Sequence, residues 1–360
     1  MTKHDGVYYL QFAAPGTEFK TYGDGVLTSK NPMGPFTYPP YNPFSFKPTG
    51  FVAGAGHGST FTSPFGQWWH ISTMSVSVRH PFERRLGLFP AQFTSDGELL
   101  ADTYLGDYPH YLDGSLTGWM LLSRHKAASA SSTLNNHSVA FAVDEDIRTW
   151  WSARTGNAEE WLMLDLGAPK TIQAVQINFA DQDSIALGIS NDAYLYVLEI
   201  STDAKHWRTA IDHSKDGRDS PHDYEVLPDP VSARYVRLRN VHSPNGAKFS
   251  ISDLRVFGSG RIELPERVAG VKAVRDVSDS RHVTVSWHSA QRADFYVVRL
   301  GANPQHLNLN YQVYDAATSV RIPSLDKSVR YSITVDAVNE HGITRGGEPI
   351  SVPIPPSGDR

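Results

Sequence analysis

The sequence predicts an all-β protein. Apolar and polar residues alternate over short stretches, such as IQAVQI at 172–177 and YVRLR at 235–239, and this period of two is typical of half-buried strands. Turn residues rather than helical segments separate these stretches, and the chain holds 28 glycines and 23 prolines. Its 16 tyrosines, 16 phenylalanines and 8 tryptophans suit strand-rich domains that stack sugars, although most of these rings are expected simply to fill β cores.

Composition limits the classes of protein that need to be considered. A chain of 360 residues suffices for two or three domains of ~100–200 residues each. The net charge of −5 provides no basic footprint for nucleic acid or an anionic membrane, so a neutral partner is expected. The absence of cysteine excludes disulfides, thiolate metal sites and thiol catalysis. Because neither a signal peptide nor an apolar run of ~20 residues occurs, we expect a soluble chain without an export signal or membrane span.

The N-terminal part predicts short strands that begin almost at the first residue. VYYLQFA at 7–13 is followed by TYGDGVLTS, a proline-rich connector, QWWHISTMSV and RRLGLFPAQF. At ~40–50 residues per four-stranded blade, this length provides about two propeller blades. Since a propeller needs at least ~4 blades to close, N-terminal blades are expected to be missing from this chain.

Four motifs in this part, GVYYLQFAAPGTE, SKNPMGPF, GAGHGSTF and FERRLGLFPAQFTSDGEL, resemble the last blades of glycoside hydrolase family 43. The resemblance implies a five-bladed propeller acting on xylan, arabinan and related plant polysaccharides. It also implies two catalytic aspartates and a glutamate, all matching positions upstream of Met1. We therefore expect a partial β-propeller that carries no catalytic residue and is inactive alone.

The same resemblance suggests substrate-binding residues. His57, between two glycines, matches a histidine that helps to hold a central calcium beneath the sugar, and a hydrogen-bonded core histidine is the alternative. Arg84 and Arg85 stand where the family places an arginine that reaches the substrate, but neighbouring side chains on a strand face opposite sides, so only one can point inward. An ordinary surface arginine is the alternative. The acids nearby are assigned to solvated turns or structural pairs: Glu18, Asp24, Glu83, Asp102 and Asp107.

An acidic turn at 144–146 opens the middle part. Its carboxylates and the Thr149 hydroxyl are the hard oxygen ligands that calcium prefers. The apolar run at 161–166, followed by Gly167, predicts a strand buried on both faces and ended by the glycine. Five motifs resemble the coagulation factor 5/8 type C (discoidin) domain, a jelly-roll β-sandwich that also serves as a carbohydrate-binding module: SVAFAVDEDIRTWW, EEWLMLDLG, EISTDAKHW, ARYVRLR and ISDLRVFG.

This second resemblance assigns roles to individual residues. It implies core positions for Trp150, Trp161 and Trp207, and carbohydrate contacts from Trp151, Arg154 and Asn245 in loops at one rim. It implies a structural calcium at Asp144, Thr149 and Asp253. The last of these replaces the usual glutamate, and Glu145 replaces the usual glycine, so a metal-free, hydrogen-bonded turn is the alternative.

The C-terminal part resembles a fibronectin type III β-sandwich. The motifs are VTVSWHS, ADFYVVRLG, TSVRIPSL and VRYSITVDAVNEHG. Trp287 is expected in the core, and Leu325 with Tyr331 suits a tyrosine corner, in which the phenol bonds back to the chain. This domain is expected to act as a spacer. The predicted domains are therefore residues 1–121, 122–260 and 261–360.

Two functions are open. The first is the C-terminal portion of a family 43-like glycosidase with a carbohydrate-binding module, whose partner is a polysaccharide or oligosaccharide and which is secreted or periplasmic at full length. The alternative is a non-catalytic glycan-binding or adhesion protein built on the two C-terminal domains.

Overall fold

The computed structural model describes residues 1–75, 84–185, 192–218, 220–260 and 263–354. Apart from two 3-10 turns at Val139–Ala142 and Pro244–Gly246, the regular structure of these residues is entirely strand, which confirms the all-β prediction. No helix in these ranges has the length and hydropathy of a membrane span. The described residues fall into two compact units, one formed by 1–75, 84–117 and 263–354, and the other by 118–185, 192–218 and 220–260.

The first eight strands form one sheet of the first unit. They are β1 Thr2–His4, β2 Val7–Ala14, β3 Gly23–Ser29, β4 Ser45–Phe46, β5 Ala53–Thr62, β6 Trp68–Ser75, β7 Arg84–Phe93 and β8 Leu99–Ala101. The order is β1-β2-β3-β5-β6-β7-β8, with β4 pairing β3 at the side. The step from β3 to β5 is a single parallel pair, Gly23 with Ala55, so two antiparallel groups meet there. A small core seals this sheet around Tyr9, Val26 and Phe44.

The second unit is a β-sandwich-type domain of eight strands. They are β9 Met120–Leu121, β10 Ala127–Ala130, β11 Trp151–Ser152, β12 Trp161–Phe179, β13 Leu195–Ser201, β14 Arg208–Asp212, β15 His222–His242 and β16 Ser250–Ser259. The strand order is β11-β16-β12-β15-β13-β14, with β10 on β12 and β9 on β16. Because Met120 and Leu121 pair with Gly258 and Phe257, this unit begins a few residues before the predicted boundary at 122.

Strand β12 corrects two predictions. Burial alternates along 161–166, with Leu162, Leu164 and Leu166 inside and the residues between them half-buried, so the strand is not buried on both faces. Gly167 does not end it: with φ +83° it marks a register shift, and pairing with β15 resumes at Lys170. An apolar run alone cannot separate these cases, because Trp161 and Met163 are apolar but lie on the more open face.

The last eight strands form the sandwich of residues 263–354. They are β17 Ala269–Arg275, β18 Val283–His288, β19 Phe295–Gly301, β20 Leu309–Val313, β21 Ser319–Ile322, β22 Tyr331–Asn339, β23 Gly342–Thr344 and β24 Ile350–Val352. A β17-β18-β21 sheet faces a β20-β19-β22-β23 sheet, with β24 also pairing β22. Trp287 is buried as predicted. The backbone N–H of Asp326 donates to the Tyr331 hydroxyl at 3.2 Å, which confirms the predicted tyrosine corner.

Within the first unit, the sandwich is joined to residues 1–117 by buried polar contacts. Asp336, whose side chain is fully buried, accepts hydrogen bonds from the Tyr104 hydroxyl at 3.0 Å and from Arg299 and Arg345 at 2.8 Å. Gln312 donates to Asp107 at 3.1 Å. Unpaired, such groups would be costly to bury, so these bonds fix one arrangement of the two segments.

Candidate functional site

The acidic turn of the second unit is held by its own side chains. The Thr149 hydroxyl donates to Asp144 Oδ2 at 2.6 Å, and the Asp146 backbone N–H donates to Asp144 Oδ1 at 3.0 Å. Burial raises the pKa of Asp144, although the bond from Thr149 opposes this shift. The turn therefore has the hydrogen bonds expected of a metal-free turn. It also brings together several oxygen atoms that could bind a cation.

The carboxylate of Asp253, predicted as a calcium ligand, lies beneath this turn. Its Oδ2 accepts the backbone N–H of Glu145 at 2.9 Å, whereas its Oδ1 is buried without a hydrogen-bond partner among the described residues. Burial, followed by the charge of Glu145, raises the pKa of Asp253 well above its usual value. A buried carboxylate oxygen without a donor is the environment in which a cation would be stabilising.

Glu145 keeps the backbone conformation of the glycine that it replaces, with φ +62°. Its carboxylate turns inward and forms a buried ion pair with Arg255, with bonds of 2.8 and 3.0 Å. The Arg255 guanidinium thus pairs with Glu145, and its charge also acts on Asp253, where it opposes the raised pKa. The hard oxygen donors of Asp144, Thr149 and Asp253 fit calcium in chemical type.

The Trp150–Trp151 pair has the opposite orientation to the prediction. Trp151 is fully buried, packs edge-on against Phe249 and donates from Nε1 to the Ser132 carbonyl at 3.2 Å, so it cannot contact a ligand. Trp150 is half-buried beside His137, at 4.7 Å between ring centroids, and donates to Gln182 Oε1 at 2.9 Å. Neighbouring residues on an extended chain face opposite sides, and the sequence did not show which faced the core. Two other tryptophans predicted in the core, Trp161 and Trp207, are also half-buried.

A polar rim surrounds Trp150. We define this rim as Trp150, His137, Gln182, Asp183 and Lys248. Gln182 donates to Asp183 at 2.7 Å, Lys248 forms an ion pair with the other oxygen of Asp183, and the Lys248 backbone N–H donates to the Gln182 carbonyl at 2.8 Å. A half-buried indole beside an amide, a carboxylate and an ammonium group combines the two kinds of group that can stack on a ring and bond hydroxyl groups.

Two residues predicted in rim loops hold those loops in place. Asn245 is half-buried with φ +56°; its N–H donates to Asp192 at 2.8 Å and its carbonyl accepts from Ile185 at 2.9 Å. Arg154 is exposed, and its Nε donates to the Thr133 carbonyl at 3.2 Å. Both lie in the predicted loops. Sequence reasoning missed His137, Gln182, Asp183 and Lys248, because single polar residues in loops carry no local pattern.

The structure does not bring together the site residues predicted in the first unit. His57 is exposed, with φ +57°, at a bulge where the pairing of β5 with β6 shifts. Arg85 is half-buried, and the Arg84 side chain lies outside the part of the chain that the structure describes. In that part, two groups of histidine and acidic residues could hold a metal, and neither contains His57, Asp144 or Asp253.

Two acids of this unit form buried structural pairs, which is one of the two roles predicted for the five acids. Asp24 and His70 form a buried pair at 2.9 Å, and the opposite nitrogen of the imidazole lies 3.0 Å from the Thr60 hydroxyl. Asp107 and Lys47 form a second buried pair at 3.2 Å. Asp102 and Glu18 are exposed, and Glu83 lies outside the described residues.

Comparisons with known proteins match each part of the chain. Residues 1–99 match the family of glycosyl hydrolases family 43, residues 127–253 match the F5/8 type C domain, and residues 266–353 match the fibronectin type III domain. Among curated proteins, none matches the chain.

Three solved structures illustrate the similarity. Chitosan-binding module 1 of a chitosanase/glucanase from Paenibacillus sp. IK-5 is 23% identical, with a TM-score of 0.33, over 39% of this chain and 99% of that one. A structure titled glycoside hydrolase is 21% identical, with a TM-score of 0.38, over 71% of this chain and 58% of that one. The CBM32 of AlyQ in complex with 4,5-unsaturated mannuronic acid is 19% identical, with a TM-score of 0.31, over 38% and 98%.

The three family matches follow one another along the chain without overlap. Successive segments of the chain thus match glycosyl hydrolases family 43, the F5/8 type C domain and the fibronectin type III domain.

Proposed function

We propose that this chain is the carbohydrate-recognising portion of a glycoside hydrolase that acts on plant polysaccharides of the xylan and arabinan class. The observation that carries this proposal is the combination, in one chain, of a segment that matches family 43 with a segment that matches the F5/8 type C domain, whose rim holds the half-buried Trp150 among hydrogen-bonding side chains. The substrate class rests on the resemblance of residues 1–99 alone.

In this proposal the rim binds neutral sugars. The face of Trp150 stacks on a pyranose or furanose ring, while His137 and the Gln182–Asp183–Lys248 group bond its hydroxyl groups. Because one half-buried indole offers little contact area, binding to a single sugar chain should be weak. Calcium, when bound at Asp144, Thr149 and Asp253, would supply positive charge that holds the acidic turn next to Trp150.

Hydrolysis requires more than the rim. By resemblance, a carboxylate-activated water attacks the anomeric carbon while a glutamic acid protonates the leaving oxygen, with inversion, and this needs two carboxyl groups ~6.5–9.5 Å apart. By the same resemblance, the motifs matched in residues 1–99 include none of these carboxyl groups, and we propose that residues 1–360 alone have no turnover. In the same proposal, His57 and either Arg84 or Arg85 would border the substrate.

Binding and turnover are tested on the full chain. Calorimetry with xylo- and arabino-oligosaccharides should show weak binding that Trp150→Ala removes, whereas Trp207→Ala, which changes a half-buried tryptophan outside the rim, should leave it intact. Equal binding by wild type and Trp150→Ala would contradict the rim assignment. Release of sugar from aryl xylosides or arabinosides at ordinary enzymatic rates would contradict the absence of turnover.

A second function, a non-catalytic glycan-binding or adhesion protein, is favoured by the buried pairs Asp24–His70 and Asp107–Lys47. They commit two carboxylates of the first unit to its structure rather than to a reacting sugar. Sequencing the DNA upstream of Met1 separates the two functions. An in-frame extension with two aspartates and a Glu-Gly motif supports the enzyme, and a stop codon with a ribosome-binding site supports the adhesion protein.

A further inference from the structure

We propose that the F5/8 type C domain carries a transition-metal site formed by His213, Asp223 and Glu225, separate from both the rim and the acidic turn at Asp144. The preferred ions are zinc, cobalt and manganese in their divalent states.

The three side chains converge. Their ligand atoms all lie within 4.8 Å of one another. Asp223 and Glu225 are two residues apart on β15, so both point to the same face of the sheet. His213 directly follows β14, and its Nε2 lies 3.0 Å from Glu225 Oε1. A metal ion forms bonds of about 2.0–2.2 Å to such nitrogen and oxygen ligands. It could therefore replace the proton between His213 Nε2 and Glu225 Oε1 if these two atoms moved slightly apart.

Outer contacts hold two of the three ligands, His213 and Asp223, in their orientations. The other ring nitrogen of His213, Nδ1, lies 3.1 Å from Asp216 Oδ1, which is the imidazole–carboxylate arrangement that commonly orients metal-binding histidines. The His213 backbone N–H donates to the Tyr196 carbonyl at 3.0 Å, and the two rings pack edge-on at 5.2 Å between centroids. The Tyr196 hydroxyl in turn donates to Asp223 Oδ2 at 2.8 Å. The site is therefore largely preorganised.

The charge of the cluster calls for a cation. Three carboxylates, those of Asp216, Asp223 and Glu225, surround one imidazole, which even when protonated balances only one of them. The ligands are also withdrawn from water: Asp223 is 9% exposed, and the His213 and Glu225 side chains are 13% and 24% exposed. Arg218 is another cation of this loop: its charge acts on Tyr196, the hydrogen-bond partner of Asp223, and its backbone pairs with Tyr194. His213 and Arg218 together would balance two of the three carboxylates and leave one. A divalent ion at the convergence of His213, Asp223 and Glu225 would remove the remaining repulsion.

The donor set selects the metal. One imidazole nitrogen and two carboxylate oxygens suit zinc, cobalt or manganese, whereas calcium takes oxygen ligands throughout. Three protein ligands leave a position for water. The ion would tie the connection after β14 to β15.

The other candidate cluster, Asp96, Glu98 and His306, is less well prepared. Asp96 is exposed, and Glu98 and Asn303 both lie close to the same nitrogen of His306, at 2.9 and 3.3 Å. Among the contacts described, no carboxylate orients its other ring nitrogen. This cluster therefore serves as a control rather than as the proposed site.

The test uses the full chain stripped of metal with EDTA. Zinc affinity is measured by competition with a chromophoric chelator, and cobalt binding is measured by its visible absorption. We expect one zinc site whose affinity falls at least tenfold in His213→Gln and in Glu225→Gln. Asp216→Asn, which removes a positioning residue, should weaken binding on the order of tenfold.

Two control variants complete the design. His206→Gln alters an exposed histidine that also pairs with a carboxylate, Asp203 at 2.7 Å, and His306→Gln alters the other cluster. Neither should change the affinity. Zinc binding that is absent from the wild type, unchanged in Glu225→Gln, or lost in either control would overturn the proposal. If His213→Gln fails to fold, Glu225→Gln together with the cobalt spectrum of the wild type still decides.

Discussion

At the scale of single residues, the most informative atom beside the acidic turn is Asp253 Oδ1, which has no hydrogen-bond partner among the described residues. A buried carboxylate oxygen without a donor weakens the apo fold, and an ion that binds there only in the folded state stabilises it by mass action. We expect calcium to raise the melting temperature of the wild type and to have no effect on Asp144→Ala, measured by calorimetry with and without chelator. Asp146→Ala, an exposed side chain of the same turn, is the control. A melting temperature that ignores calcium in all three proteins would remove the ion from this site.

The two adjacent tryptophans give a second prediction at this scale. Trp151 is fully buried against Phe249, so Trp151→Ala should lower the free energy of unfolding by about 3–5 kcal/mol, the usual effect of such a truncation. Trp150→Ala should cost clearly less, because its ring is only half-buried. Urea denaturation of the two variants tests this order. Equal losses would mean that both rings belong to the core.

At the scale of elements, one carboxylate organises the loop between β11 and β12. Glu160 is buried and accepts hydrogen bonds from Ser132 at 2.8 Å and from Thr155 at 2.7 Å, and it also bonds Ser131. Burial alone would raise its pKa, but these hydroxyl donors outweigh it and hold the pKa below its usual value. The stability that Glu160 contributes is therefore present above its unfolded pKa of about 4.3 and lost as pH falls through the lower folded value.

The corresponding variant is Glu160→Gln. It should lower the melting temperature at pH 7, because an amide accepts fewer hydroxyl donors than a carboxylate does, and it should lose less stability than the wild type between about pH 5 and 3. Glu159→Gln, at the exposed neighbouring position, is the control. Parallel pH curves for wild type and Glu160→Gln would show that this carboxylate does not hold the loop.

The elements were also what the sequence predicted best. Strands such as β2, β5 and β18 lie where the alternating pattern and the turn residues predict them. Both signals come from residues that are close in sequence. The site was harder to predict: His137, Gln182 and Lys248 are far apart in sequence and meet only because the ends of β12 and β16 bring their loops together. The inward turn of Glu145 toward Arg255 likewise depends on a partner 110 residues away. Local sequence patterns cannot predict such contacts between residues that are distant in sequence.

At the scale of the whole molecule, the fibronectin type III domain was predicted as a spacer, and it also makes extensive contacts with another segment of the chain. It packs against residues 1–117 in one compact unit, and the fully buried Asp336 takes part in that packing. Burial alone would raise the pKa of Asp336, but hydrogen bonds and charge from Arg299, with help from Arg345, hold it below the usual value. Both cations and the Tyr104 hydroxyl thus share one buried carboxylate, which is one of the polar contacts that join the two segments of this unit.

Asp336→Asn should therefore destabilise the first unit by on the order of 3 kcal/mol, because removing one partner leaves buried charge unpaired. Since the folded pKa of Asp336 lies below its unfolded value of about 3.9, its contribution is present above that pH and is lost as the pH falls further. The variant should accordingly be less stable than wild type at pH 7 and approach it below about pH 3. Asp276→Asn, which breaks the more exposed pair with Arg321, should change little.

Hydrogen exchange followed separately in the two units provides the measurement: protection should fall in residues 1–75 and 263–354 together and stay unchanged in 122–185. A loss confined to residues 263–354 would show that the two segments are stable independently of each other.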